Sequence, residues 1–147
     1  MKSIFEKSTN DELIRRINLL NENSKAQWGK MNVYQMLKHC TLWEEMISGQ
    51  MKTKRMFLGR LFGKMALKNM IKDEKPVRHN MPTVPGFSIK DQGEVLSEKN
   101  KWIAMMKGHA NFSNTDFVHP FFGKMTKEQI GLLAYKHTDH HLRQFNC

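Results

Sequence analysis

The C-terminal part of the chain carries the feature that most limits how it can fold, a pair of histidines on an apolar helix face. His137 and His141 are four residues apart, so on a helix they lie one above the other, beside Ile130, Leu133 and Phe145. Buried imidazoles need partners, because an unpaired polar group in a core is destabilising. The pair is therefore either two hydrogen-bonded core histidines or part of a metal site, and it lacks the glutamate of the His-Glu-x-x-His zinc motif.

Helical periodicity and capping residues predict where the first two helices begin and end. The first is expected to start within residues 8–12, where Thr9 and Glu12 have capping-box spacing. The second is expected to start at Asn32, with Gln35 three residues later, and to end at Gly49. Both helices have an apolar face that indicates packing against other helices.

The second and last helices share an N-terminal sequence, and each directs a histidine to its apolar side. Residues 29–35 read GKMNVYQ and residues 123–129 read GKMTKEQ, so Thr126 is the predicted cap of the last helix. Each segment is followed by Lys-His, at His39 and at His137. His39 lies within the apolar arc of its helix and is expected to point into the core. The repeat indicates that two comparable helices bring histidines to a common layer.

The segment between these helices predicts an accessory helix over about 53–70. One side of it is apolar and carries Leu58, Leu61, Phe62, Met65 and Ala66. Another side is basic and carries Arg60, Lys64, Lys68 and Lys72. Two interpretations stay open, a solvated face that forms an exposed basic ridge or a basic amphipathic surface for anionic lipid or a polyanion. Gly59 and Gly63 are expected to weaken the helix.

A proline-rich connection follows, and then a further helix. Residues 76–85 hold three of the four prolines and predict an irregular stretch. The next helix is expected from about residue 91 to 107, followed by a loop to residue 120. Its predicted inner stripe consists of Val95, Leu96, Lys99, Trp102, Ile103 and Met106.

Length, charge and cysteine content narrow the class of protein. A chain of 147 residues is expected to form one domain. The net charge of +10 favours anionic partners, but no nucleic-acid-binding motif accompanies it. No apolar run is long enough to cross a membrane and the N-terminus lacks a signal-peptide core, so the expected location is the cytoplasm. Cys40 and Cys147 are not expected to form a disulfide.

With these residues in view, the chain resembles the DinB/YfiT-like superfamily of metalloenzymes, and within it a branch described as a domain of unknown function. The resemblance rests on HPFFGKMT at 119–126, YKHTDHHLRQF at 135–145, WGKM at 28–31 and ML-x-HC at 36–40. It implies one domain over 1–147, an all-α four-helix bundle of up-down-down-up topology. A long crossover carries the accessory helix. It also implies that His39, His137 and His141 bind a divalent metal ion.

The resemblance further implies a metal-dependent enzyme with hydrolase-like or thiol S-transferase-like chemistry on a small substrate, and the net charge makes an anionic substrate an option. Zn and Ni are the leading ions, with Fe, Mn and Cu as further candidates, and a low-molecular-weight thiol is a candidate cofactor. A homodimer is a further option. His140 is expected beside the site, His119 is either a supporting residue or a loop end, and Arg143 has no assigned role. The alternative is a non-catalytic interaction protein whose basic surface binds an anionic partner.

Overall fold

The computed structural model describes residues 1–147 and is mostly helical, which agrees with the all-α class in broad terms. The five α-helices are α1 (Lys7–Leu19), α2 (Val33–Ile47), α3 (Phe57–Met70), α4 (Val95–Lys107) and α5 (Lys127–Gln144). A short 3-10 helix, Gly108–Asn111, follows α4. Two antiparallel strands, β1 (Val118–His119) and β2 (Gly123–Lys124), pair Val118 with Lys124 and His119 with Gly123. None of the helices combines the length and apolarity needed to cross a lipid bilayer.

The two GKM segments start their helices in the same way. Asn32 caps α2 and Thr126 caps α5, and each accepts a hydrogen bond from the backbone N–H of the glutamine three residues later, Gln35 or Gln129. The glutamine side chain accepts in return from the backbone N–H of the cap, which completes a capping box. The glycine three residues before each cap has a φ of +80° or +86°, a region that glycine favours. Both predicted starts are confirmed.

The predicted capping box of α1 is wrong. The helix begins directly after Glu6, and Thr9 donates its hydroxyl to the Glu6 carboxylate at 3.1 Å instead of forming a box with Glu12. The chain is already ordered before Thr9, because Ile4 is fully buried and its backbone N–H donates to the carbonyl of Gly131 in α5 at 3.1 Å. Docking of the N-terminal residues onto α5 therefore places the helix start about one turn earlier.

The helix α4 differs from its prediction at its first turn. It begins at Val95, later than the predicted start near residue 91, because Glu94 accepts from two backbone N–H groups and acts as the cap. Leu96 was predicted to point inward, but 55% of its surface is exposed. Val95, Trp102 and Met106 are buried as predicted. The inner stripe is narrower than the apolar sequence pattern indicates.

The core lies between four helices, with α2 and α1 each packing against both α4 and α5. A continuous apolar cluster fills this space, and its largest fully buried side chains include Trp102, Met36, Met106 and Ile130. Because α2 and α5 are neighbours, the inward face of one helix meets the inward face of the other. This contact brings the histidines of the two helices together.

The helix α3, which starts at Phe57 rather than near residue 53, lies over the β1–β2 hairpin. Gly59 and Gly63 form the contact, since a Cβ atom at either position would overlap the carbonyl oxygen of Phe121. At its other end, Lys136 of α5 donates from Nζ to the carbonyl of Met70 at 2.7 Å. The two glycines are thus the packing face of α3, which the sequence pattern did not indicate.

The turn of the hairpin is held by Arg55, just before α3. Its guanidinium donates to the carbonyl oxygens of His119, Pro120 and Phe121, each at 2.9 Å. Three converging carbonyls attract a cation, so the arginine and the turn stabilise each other. The arrangement fixes the position of the His119 ring near α2.

Candidate metal centre

Three histidines from two helices meet in the layer between α2 and α5. His39 comes from α2, and His137 and His141 come from one face of α5. His39 and His141 are buried, while His137 keeps some accessible surface. The structure therefore brings together the three residues that the resemblance selected. Their role as metal ligands stays a prediction.

The spacing of two of the three rings matches that of ligands around one small cation, and the third ring lies close to both. One nitrogen from each ring lies within 4.8 Å of the other two, and the Nε2 atoms of His39 and His137 are 3.0 Å apart. Two nitrogens that each lie about 2.1 Å from a zinc ion are separated by roughly 3.0 to 3.4 Å. The rings of His39 and His137 are therefore already at the distance that a shared ion requires.

Hydrogen bonds at the outer nitrogens orient two of the rings. Nδ1 of His39 lies 2.9 Å from the carbonyl oxygen of Phe87, and a carbonyl can only accept, so Nδ1 carries the proton. Nδ1 of His141 lies 2.9 Å from Oε1 of Gln144, whose amide nitrogen donates to the carbonyl of Trp28 at 2.8 Å. In both neutral rings the lone pair is therefore on Nε2, and that of His39 faces Nε2 of His137. This is how outer-shell acceptors prepare histidines for metal binding.

The third ring, His137, faces His39 with one nitrogen and has no partner for the other. A proton on its Nε2 would pair with the lone pair of His39, but its own Nδ1 is buried and has no hydrogen-bond partner. The ring is stacked on Trp43 at a centroid distance of 4.6 Å. A cation between the rings would receive both Nε2 lone pairs, so the donor set fits a metal ion.

Burial keeps these imidazoles neutral. It lowers the pKa of His141 to about 3, and the nearby His39 acts in the same direction. Burial lowers the pKa of His137 well below its ordinary value, with a smaller contribution from His141. The pKa of His39 is also lowered by burial, against a smaller opposing effect of the Phe87 carbonyl. Neutral rings offer lone pairs, which metal binding requires.

The other predicted neighbours lie outside the cluster. His140 is half-buried and points toward Trp28 and His79, with ring centroids 5.7 Å and 6.2 Å away. His119 is buried in the hairpin, 5.5 Å from the ring of Trp43, and its Nδ1 accepts from two backbone N–H groups. His140 thus lies beside the three histidines. His119 is not one of the three clustered residues and packs against Trp43 instead.

A buried acid–base pair that the sequence did not indicate lies elsewhere in the core. Nε2 of His109, in the 3-10 helix, is 3.0 Å from the carboxylate of Glu44 on α2, and both side chains are buried. Glu44 follows His39 by five residues and therefore points to a different side of α2. The pair is not part of the histidine cluster.

Neither cysteine is placed to act as a nucleophile in the cluster. Both are free, and Cys40 is buried with its Sγ 3.7 Å from Sδ of Met36. Burial raises the pKa of Cys40 well above its ordinary value, so the thiol stays protonated.

Arg143 pairs with Asp139 at 2.7 Å, and Arg16 of α1 donates to the same carboxylate at 2.8 Å. The arginine that sequence left without a role is thus part of an ion-pair network.

The sequence did not identify the groups that orient the ligands, although Gln144 lies within the C-terminal motif at 135–145. The signal for Gln144 is its position three residues after His141, which allows contact on one helix face. The Phe87 carbonyl gives no signal, because any residue type has one.

Comparison with protein families assigns the chain to one family. A family model described as "Protein of unknown function (DUF1569)" matches residues 4–147. The chain belongs to this family. Searches of curated proteins and of solved structures each found no match. The description of the DUF1569 family names no activity, and the histidine cluster is the feature of the chain that points to one.

Proposed function

We propose that this chain is a metal-dependent enzyme in which His39, His137 and His141 bind one divalent ion. The observation that carries the proposal is the convergence of three neutral imidazoles, two of them buried, with ring nitrogens within 4.8 Å of one another. Two of the rings are oriented by outer acceptors, and the third is held against Trp43 with its Nε2 atom 3.0 Å from Nε2 of His39. A core that needed only apolar packing would gain nothing from three such rings.

Three protein ligands leave coordination positions open, as in catalytic rather than structural metal sites. Imidazole ligands suit Zn or Ni best among the candidates, with Fe, Mn or Cu as alternatives. A divalent ion bound here would supply Lewis acidity, which makes water or a thiol a better nucleophile near neutral pH. The protein would hold the rings neutral and correctly oriented through Phe87 and Gln144.

For the reaction we propose hydrolase-like or thiol S-transferase-like chemistry on a small substrate. Cys40 is buried and its thiol protonated, so a thiol nucleophile would have to come from a low-molecular-weight thiol. The net charge of +10 supports an anionic substrate. A cytoplasmic location and a homodimer belong to the same proposal.

We also propose that the family is a branch of the DinB/YfiT-like superfamily, with one bundle domain of up-down-down-up topology. The support is the pairwise packing of α1, α2, α4 and α5, with α3 in the long crossover between α2 and α4. In that arrangement one histidine lies on the second bundle helix and two lie on the fourth, as the resemblance implies.

Metal content of single variants tests the proposal. We expect bound metal per chain to fall to near zero in His39→Ala, His137→Ala and His141→Ala, because each removes one of three ligands. The control is His140→Ala, which changes an adjacent histidine outside the cluster and should keep the metal of the parent. All variants are first shown to be folded by circular dichroism, and metal is measured by elemental analysis after reconstitution.

Two results would contradict the assignment. If His140→Ala loses the metal while His141→Ala keeps it, the ligand pair on α5 is spaced three residues apart rather than four. If the folded parent takes up no divalent ion from reconstitution buffer, the cluster is a structural group of core histidines.

A further inference from the structure

The helix α3 exposes its apolar side chains, which is the reverse of the usual arrangement in a surface helix. A surface helix turns its apolar stripe toward the core. Here Gly59 and Gly63 contact the hairpin, and Leu67 is the only large buried side chain of the helix. The side chains on the other side are large, apolar and 50% to 74% exposed, namely Phe57, Leu58, Leu61, Phe62 and Met65.

These five side chains form one patch. They recur on successive turns of α3, three or four residues from one turn to the next, and at about 100° per residue they cover roughly 140° of its circumference. The chain has ten exposed large apolar residues, and five of them are on this one helix. Scattered apolar side chains are normal on a surface, but a contiguous patch marks a surface that contacts something else.

One edge of the patch is strongly basic. Residues 51–72 contain seven lysines and arginines and no aspartate or glutamate. Arg60, Lys64, Lys68 and Lys72 are all exposed; the first three follow one another at four-residue steps along α3, and Lys72 comes just after the helix ends. None of these four is in an ion pair with a carboxylate of the chain. Their charge is therefore free to attract an anionic surface.

We propose that α3 docks the protein onto the surface of an anionic lipid membrane. The exposed Phe57, Leu58 and Leu61 side chains would enter the boundary between headgroups and acyl chains, as in helices that lie in the membrane plane. The lysine stems would extend along the apolar surface while their ammonium groups reach anionic headgroups. Since the backbone of α3 is held to the hairpin by its glycines, these side chains are free to do so without unfolding the helix.

The charge of the segment favours lipid over other occupants. A second copy of the chain would place an equal excess of positive charge against the first, which opposes association. A nucleic acid would meet an apolar centre that offers no hydrogen-bonding groups to bases or phosphates. Lipid supplies both an apolar layer and a sheet of negative charge, which match the two halves of this face. The proposal does not depend on the metal centre.

Vesicle flotation tests it with the whole chain. The probes are vesicles of phosphatidylcholine alone and vesicles of phosphatidylcholine mixed equally with phosphatidylglycerol. We expect the parent to float only with the anionic vesicles. The triple change Leu58→Gln, Leu61→Gln and Met65→Gln should reduce the partition coefficient at least about tenfold, because it removes the apolar anchor.

A charge variant and a matched control separate the basic edge from the overall charge. Changing Arg60, Lys64, Lys68 and Lys72 to Gln should also reduce binding at least about tenfold, since each basic residue near an anionic surface contributes. The control changes four exposed lysines elsewhere to Gln, and it should bind like the parent although it loses the same charge. These four are Lys25, Lys30, Lys90 and Lys107. All variants should melt at the temperature of the parent, because the side chains are exposed.

Several outcomes would overturn the proposal. Absence of flotation of the parent with anionic vesicles would do so directly. Binding that the apolar substitutions leave unchanged would show simple electrostatic adsorption. A dimeric parent that fails to float, and that the apolar substitutions turn into a monomer, would assign the face to a second copy. Binding to polyglutamate without vesicle binding would assign it to an acidic polypeptide.

Discussion

The buried histidines differ in what their ring nitrogens contact, and this difference decides which of them can bind a cation. His39 and His141 each donate from Nδ1 to an oxygen, so the lone pair of each ring is on Nε2. His119 has the opposite arrangement. Its Nδ1 accepts from the backbone N–H groups of Phe121 and Phe122, each at 3.1 Å, so this ring stabilises the turn of the hairpin.

His119 gives a prediction about acid stability. Burial lowers its pKa to about 3, helped by the positive charge of Arg55, whereas the ordinary value is 6.5. The folded state therefore excludes a proton that the unfolded state accepts. The resulting stabilisation is complete above about pH 6.5 and is lost as the pH falls toward 3.

We expect His119→Asn to lose less stability on acidification than the parent, by on the order of 1 kcal/mol for each pH unit below about 6. Asparagine can accept the same two backbone hydrogen bonds but does not titrate. Urea unfolding over a pH series, in the presence of a chelator, measures the difference. His39, His137 and His141 contribute equally to both curves, so parallel curves for the two proteins would contradict the assignment.

At the level of elements, α3 shows that glycine can be a contact surface. Replacing glycine by alanine inside a helix usually stabilises it by up to about 1 kcal/mol. At Gly63 an added Cβ would overlap the Phe121 carbonyl oxygen, which is backbone and is held in place by Arg55. The steric cost of overpacking, about 1 to 3 kcal/mol, should outweigh the gain in helix propensity.

We therefore predict that Gly63→Ala lowers the free energy of unfolding by about 1 to 2 kcal/mol. The matched control is Gly108→Ala, since a Cβ there has no neighbour within 4 Å and the φ is −67°. This variant should be as stable as the parent or slightly more stable. Equal stability of the two variants in urea unfolding would show that α3 does not pack closely on the hairpin.

At the level of the whole molecule, the histidine cluster connects distant parts of the chain. His39 and His137 are 98 positions apart, and the Phe87 carbonyl adds the connection before α4. A ligand that binds only the folded state stabilises it by an amount set by its concentration relative to Kd. A metal ion at this centre would therefore stabilise the packing of α2 against α5.

We predict that a chelator lowers the melting temperature of the metal-loaded protein and that added metal restores it. At a free metal concentration about 100 times Kd, the stabilisation is about 2.7 kcal/mol, which corresponds to a shift of several degrees. His141→Ala, which removes one ligand, should melt at the same temperature with and without metal. An equal response of the parent and this variant would place the ion elsewhere on the chain.

Much of the candidate site could be predicted because it depends on local sequence. The capping boxes at Asn32 and Thr126 each need only two residues three positions apart, so they do not depend on the rest of the fold. The four-residue spacing of His137 and His141 likewise places both rings on one face. The sequence by itself thus determined the helical class, the two helices that carry histidines, and their inward direction.

The remaining features were decided by neighbours that are distant in the chain. Burial of Ile4 in the core places the start of α1 before the predicted capping box. The hairpin packs against the glycine face of α3, so the apolar side chains of α3 face solvent. The carbonyl of Phe87 became the partner of His39 because the connection before α4 passes over that ring. A periodic pattern shows which residues share a face, but only tertiary packing decides what that face meets. The reason is that burial and hydrogen bonding are properties of two surfaces in contact.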